Sequence, residues 1–213
     1  MKSKWGVSAL FLMLILFSGC NFKINQSVRI KDNSVSRSGY STINGSVYIG
    51  DNCKVNGKCR AINGTIDVGK GSVVNSLQTV NGTITISENA VIRGSVETVN
   101  GEIECRKGVK VQRRVRSVNG DIMLDSTKVN NNVETYNGDV DLYNGTLVSG
   151  DIRIKSGKGN SRKTKHIVIN IKGGSVVRGD VIADDDPRLD VVVYIENKNS
   201  IEGRTRNVKI FEK

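Results

Sequence analysis

The dipeptide Asn-Gly recurs at Asn44-Gly45, Asn63-Gly64, Asn81-Gly82, Asn100-Gly101, Asn119-Gly120 and Asn137-Gly138, at separations of 19, 18, 19, 19 and 18 residues. A fixed period of this length marks a repeat architecture, in which each unit buries its apolar face only against its neighbours. The phrase around each pair is kept as well: TINGSV, AINGTI, TVNGTI, TVNGEI, SVNGDI and TYNGDV.

Inside the period the aliphatic residues form a comb. Ile62, Val68, Val74, Val80, Ile86 and Ile92 stand six apart, and Tyr136, Leu142, Val148 and Ile154 resume the spacing. Three sixes make a coil with three short sides, and one extra corner residue accounts for the nineteens. A second pattern, two apolar residues six apart followed by Gly, appears at Ile49/Val55/Gly57, Ile86/Ile92/Gly94, Leu142/Val148/Gly150, Ile171/Val177/Gly179 and Ile195/Ile201/Gly203. Apolar content rests on Val and Ile, with 23 Gly and a single Pro, which favours strands and tight turns. The reading is an all-β, single-stranded parallel β-helix of about eight coils over residues 43–213. In such a solenoid each strand pairs with its equivalent one coil away, so side chains stack in columns about 4.8 Å apart. Asn tolerates a left-handed backbone at a corner, Gly accepts it freely, and stacked Asn amides bond along the column.

A run of hairpins is the rival, because Asn-Gly between alternating apolar residues is also a hairpin signal. Intermediate turn signals at Gly69–Gly71, Ser87–Asn89 and Asp125–Thr127 share one offset in their repeats, and the comb keeps register through them. A meander has no reason to preserve that phase.

The N-terminus has a different character. Lys2 and Lys4 precede the apolar run Ala9–Phe17, then Ser18-Gly19-Cys20. This is an export signal, too short for a spanning helix. Small residues directly before Cys20 make it resemble a bacterial lipoprotein signal. The resemblance implies that residues 1–19 are removed, that Cys20 is lipidated (palmitate among its acyl groups), and that the chain is held to a membrane surface. Asn21 after the cysteine implies, in a Gram-negative host, transfer to the outer membrane facing the periplasm. Residues 20–42, rich in Ser, read as a lipidated N-terminus followed by a tether or an irregular lead-in to the solenoid.

The stretch ISENAVIRGSV at Ile86–Val96 resembles the repeat of bactofilins, polymer-forming bacterial proteins, and VNGDI resembles segments of adhesin-like domains. The bactofilin likeness implies a right-handed solenoid that assembles end to end. The comb with Ile86, Ala90 and Ile92 is also similar to the left-handed β-helix of hexapeptide acyltransferases, which would require a catalytic His. His166 is the one histidine, and the sequence offers it neither an orienting carboxylate nor a cleft. No catalytic motif, cofactor site or metal-ligand spacing emerges. Asp184-Asp185-Asp186 reads as a solvated corner, and Asp121, Asp139 and Asp141 as outward-facing positions.

Cys53, Cys59 and Cys105 fall in apolar columns and read as small hydrophobes. An oxidising compartment also permits a Cys53–Cys59 disulfide. Removing residues 1–19 leaves 30 basic and 21 acidic side chains, a net +9. Two basic stretches stand out: Arg106, Lys107, Lys110, Arg113, Arg114 and Arg116 in one, and Lys155, Lys158, Arg162, Lys163 and Lys165 in an inserted loop near 155–166. Such patches attract polyanions. Aromatics make up 5% of the chain, too few for a stacking surface, so nucleic acid is not the expected partner. The expectation is a membrane-anchored, non-catalytic scaffold that forms homo-oligomers or filaments through its terminal coils, with an anionic envelope polymer or lipid as partner. The alternative is an adhesin-like module that binds carbohydrate or another polyanion.

Overall fold

The computed structural model describes residues 21–157 and 164–212. It is a parallel β-solenoid: three sheets of ten, ten and eight strands run the length of the molecule, and every strand but the first and last of each sheet pairs in parallel with its equivalents one coil before and one coil after. The first sheet runs from Asn21–Ile24 to Thr205–Arg206, the second from Val28–Ile30 to Lys209–Glu212, and the third from Val35–Ser36 to Val176–Val177.

The solenoid has about ten coils rather than eight because it starts earlier than Ile43. The segment expected as a tether contains four strands, and Asn21–Ile24 pairs directly with Tyr40–Ile43. Ser27, Ser34 and Ser38 sit between strands of two to four residues, while Ser36 and Ser41 lie on the strands themselves, a composition that also suits a flexible leader. The buried Val28 and Ile30 already belong to the interior columns.

Alternation along each short strand decides what points inward. In the second sheet, Val68, Ile86, Cys105 and Leu124 stack in one buried column, and Ile66, Ile84, Ile103 and Ile122 in another. Each fully buried Ile contributes roughly 1.5–3 kcal/mol relative to exposure, so the interior carries the stability. The six-residue comb holds for the second and third sheets and fails at most coils of the first, where Ile154 keeps it. Ile62, Val80 and Tyr136 are only half-buried there, because Thr79, one residue before Val80, takes the inward place. That inward column is largely polar: Thr42, Thr79, Thr98, Ser117 and Thr135 are all buried. Their hydroxyls donate to backbone carbonyls at the Asn-Gly corner, as Thr79 does to Gly64 (2.9 Å) and Ser117 to Gly101 (3.2 Å). A buried hydroxyl with such an acceptor avoids the cost of an unmade bond.

The Asn-Gly corner is a continuous file. Asn44 Nδ2 donates to Asn25 Oδ1 at 2.9 Å, Asn63 to Asn44 at 2.8 Å, and Asn81 to Asn63 at 2.6 Å. Asn100, Asn119 and Asn137 continue it in turn. Asn25, followed by Gln26 instead of Gly, is a seventh member that the dipeptide pattern does not reveal.

The left-handed backbone expected at all six corners occurs at Asn44 and Asn63 (φ 52° and 55°), while Asn81, Asn100 and Asn119 end extended strands. Left-handed residues recur instead at the next corner, at Asn52, Gly71, Asn89, Gly108 and Ser126. The glycines of the first corner are required mainly by close approach. A Cβ on Gly64, Gly82, Gly101, Gly120 or Gly138 would fall onto the backbone of the Gly one coil earlier.

Candidate functional site

The outward faces differ in chemistry, and they disperse the basic stretch at 106–116. Arg116 lies on the first sheet between Glu97 and Glu134, in an outer row that reads Arg60, Gln78, Glu97, Arg116, Glu134, Arg153. Stacking acid against base neutralises this face locally. Arg116 also donates to the Tyr136 hydroxyl at 3.2 Å and lies 5.1 Å from that ring's centroid. Arg106 sits at the corner between the second and third sheets, paired with Glu104 at 2.9 Å, beside the exposed Lys107. Lys110 is on the outer face of the third sheet in register with Lys128.

Arg113 and Arg114 go elsewhere again, to the corner between the third and first sheets. There they line a recess of about 780 Å³ together with Lys58, Arg60 and Arg93. Arg114 reaches Glu97 at 2.9 Å, and the hydrogen bond to that carboxylate holds its guanidinium above its ordinary pKa. Lys58, Arg60 and Arg93 are absent from the sequence-level site because they fall outside its two basic stretches. Coil stacking brings them together.

In the inserted segment, Lys155 lies 3.8 Å from Asp184, and Lys165 is paired with Leu189 across adjacent strands. Lys158, Arg162 and Lys163 lie outside the described residues, as does Cys20. His166 does have a carboxylate: its Nδ1 lies 3.0 Å from Asp190, which also accepts from Lys209 at 2.8 Å. The three are consecutive rows of the second sheet, 24 and 19 residues apart in sequence, so no local pattern announces them. The imidazole stands on an exposed face, 61% accessible. Asp186 is engaged by Arg188, whose hydrogen bonds lower its pKa to about 2, while Asp184 accepts from the Ser156 amide at 2.9 Å. Asp121 and Asp139 are more than solvated positions, since their carboxylates accept the backbone amides of Asp139 and Val168, each at 2.8 Å.

Cys53, Cys59 and Cys105 are buried interior thiols. Cys53 Sγ lies 3.1 Å from the Lys31 carbonyl, and burial pushes the Cys105 pKa up to about 12. Such a thiol is a packing group rather than a nucleophile. Among the described residues no group of three or more His, Cys, Asp or Glu side chains is placed to hold a metal ion.

The molecule's two ends also carry exposed apolar side chains. Asn21–Ile24 and Thr205–Arg206 are the terminal strands of the first sheet, and Val28–Ile30 and Lys209–Glu212 those of the second. Phe22 and Ile24 at one end, and Ile210 and Phe211 at the other, are 40%, 58%, 42% and 49% exposed. Compared with known proteins, the chain matches no family model, no curated protein and no solved structure, so its description rests on what its own residues build: an all-β parallel solenoid of about ten coils.

Proposed function

We propose that the chain is a non-catalytic structural lipoprotein of a bacterial envelope, held to a membrane through Cys20 and assembling with like chains through its terminal coils. The observation that supports this most is that, among the described residues, both ends of the solenoid carry exposed apolar side chains. Each presents terminal strands of two sheets with exposed Phe or Ile side chains, the kind of edge that natural β proteins otherwise cover or charge. A second solenoid stacked end on would continue the parallel ladders without new geometry.

The bactofilin-like repeat at Ile86–Val96 supports the same reading by resemblance, as the lipoprotein-like signal supports the anchor. Cys20 precedes the first strand by one residue, so an anchor there sets the first coil at the membrane. Ten coils at 4.7–4.9 Å each then project roughly 45–50 Å from the surface.

Sedimentation and negative-stain imaging of the chain from Asn21 onward test assembly. Rods that lengthen with protein concentration are expected, and Ile210→Lys with Phe211→Lys should shorten them. A monomer at every concentration and salt overturns the assembly. Metabolic labelling with a fatty-acid analogue, lost in Cys20→Ala, tests the anchor separately.

A further inference from the structure

The recess between the third and first sheets exists because one corner is short. Along this edge three residues normally separate the last inward residue of the third sheet from the first inward residue of the first sheet: Val55 to Cys59, Ile92 to Val96, Val111 to Val115, Val129 to Val133 and Val148 to Ile152. Between Val74 and Leu77 there are only two, Asn75 and Ser76. The strands on either side stay in register, Cys59 with Leu77 and Leu77 with Val96, so the deficit is taken up entirely in the turn. Asn75 and Ser76 line the recess, and their neighbours one coil away rise beside them.

A second short corner supports the geometric account. Four residues separate Cys105 from Lys110, but only three separate Leu124 from Lys128 in the next coil, and a smaller recess of about 400 Å³ opens at that edge. It carries both signs of charge, with Glu88, Glu104 and Asp125 beside Arg106 and Lys107.

The larger recess is strongly one-signed. Lys58, Arg60, Arg93, Arg113 and Arg114 line it against the single acid Glu97, which is already engaged by Arg114. Arg93 and Arg113 are exposed, with no acid within ion-pair distance among the described residues. From Lys58 to Arg114 the recess spans three coil steps, roughly 14–15 Å, longer than a single phosphate or carboxylate needs. Its remaining lining is mostly amide and hydroxyl, including Gln78, Ser95 and Asn131 beside Leu77 and Gly94, with no aromatic ring for a base to stack on.

We propose that this recess is a binding site for a segment of acidic polysaccharide: the guanidiniums pair with its anionic groups, and the amide and hydroxyl floor bonds its sugar hydroxyls. Arginine suits the task because its planar fork takes carboxylate, sulfate or phosphate oxygens two at a time. The site stands independently of end-to-end assembly, since it lies on the side of the solenoid and involves no terminal strand.

The test is titration calorimetry of the chain from Asn21 with a heparin-derived hexasaccharide, an oligogalacturonate, neutral dextran and a single-stranded DNA oligonucleotide of matched charge. Both acidic glycans should bind, dextran should not, and DNA should bind at least about tenfold more weakly, about 1.4 kcal/mol less favourably. Arg93→Glu with Arg113→Glu should weaken glycan binding by tenfold or more, while Lys110→Glu with Lys128→Glu, the same charge change on the third sheet's outer face, should alter it less than about threefold. Inserting one Gly between Asn75 and Ser76 restores the corner length at constant charge, narrows the recess, and should weaken binding by tenfold or more with the β circular dichroism retained. Equal losses in the two charge-reversal pairs, full binding by a folded insertion variant, or DNA binding as tight as the glycans would each overturn the proposal.

Discussion

From Asn25 to Asn137 the corner between the first and second sheets is turned seven times by asparagines in one hydrogen-bonded file. In the coils that follow, residues 155–157 lead out of the first sheet, and 184–188 and 207–208 make the same turn. The file is charge-neutral, and each rung repeats the one below. The later turns carry individual ion pairs, Lys155 with Asp184 and Asp186 with Arg188, and the second-sheet strands beyond them are tied by Asp190 with both His166 and Lys209. Where coil length is constant, a single polar side chain can satisfy itself along the axis. Where an insertion breaks the length, each corner must find its own partners. Asn207 illustrates the change, since it returns to the left-handed conformation (φ 58°) but donates to the Ala183 carbonyl, not to another asparagine.

The largest expected difference between the regions is steric. Gly101→Val places a branched side chain against the backbone of Gly82, and neither coil can yield without moving its neighbours. A loss of about 3 kcal/mol, at the upper end of overpacking costs, is expected in urea denaturation. Gly157→Ala meets only the tip of Lys165, at 3.7 Å, and should change stability by less than about 0.5 kcal/mol. Similar losses at both sites would break the contrast.

Hydrogen bonding gives a smaller effect. Asn100→Ala removes two rungs at once, to Asn81 and from Asn119, and should cost about 1–2 kcal/mol. Asn207→Ala removes one bond and should cost about half as much. Thermal unfolding of both variants checks the ratio.

Acid separates the regions most finely. The folded-state pKa of Asp186 is about 2, held down by Arg188, against an ordinary carboxylate value near 4. A depressed carboxylate contributes its stability above the unfolded value and loses it as pH falls through the folded one, so the window is about pH 4 to 2. The asparagine file has no group that titrates there. Amide-exchange protection at Leu189–Ile195 should therefore fall between pH 5 and 2.5 relative to Val96–Asn100, by a small factor because the pair is solvent-accessible. Equal loss in both strands would mean that the file is no more acid-resistant than the ion pairs.

Much of this organisation is legible from spacing. The Asn-Gly period yields the parallel solenoid, and the apolar spacing of Val68, Val74, Ile86 and Ile92 identifies two interior columns. The third column misleads, because alternation in the first sheet turns Ile62 and Val80 outward and brings Thr and Ser inside, where carbonyls of the corner receive them. Composition misleads at residues 21–42, whose serines lie on the strands and turns of the first coils rather than in a tether.

What the sequence determines by itself is the repeat: a fixed period requires equivalent residues to stack, and stacking requires Gly where backbones meet and Asn where amides can form a file. The tertiary structure decides which charges meet. Lys58 and Arg114 are 56 residues apart in the chain and line one recess, whereas Arg114 and Arg116, two apart, take different roles. The physical reason is the geometry of the coil. It brings residues 18 or 19 apart to neighbouring rows, separates near neighbours onto different faces, and lets the loss of one corner residue open a cavity that no local pattern records.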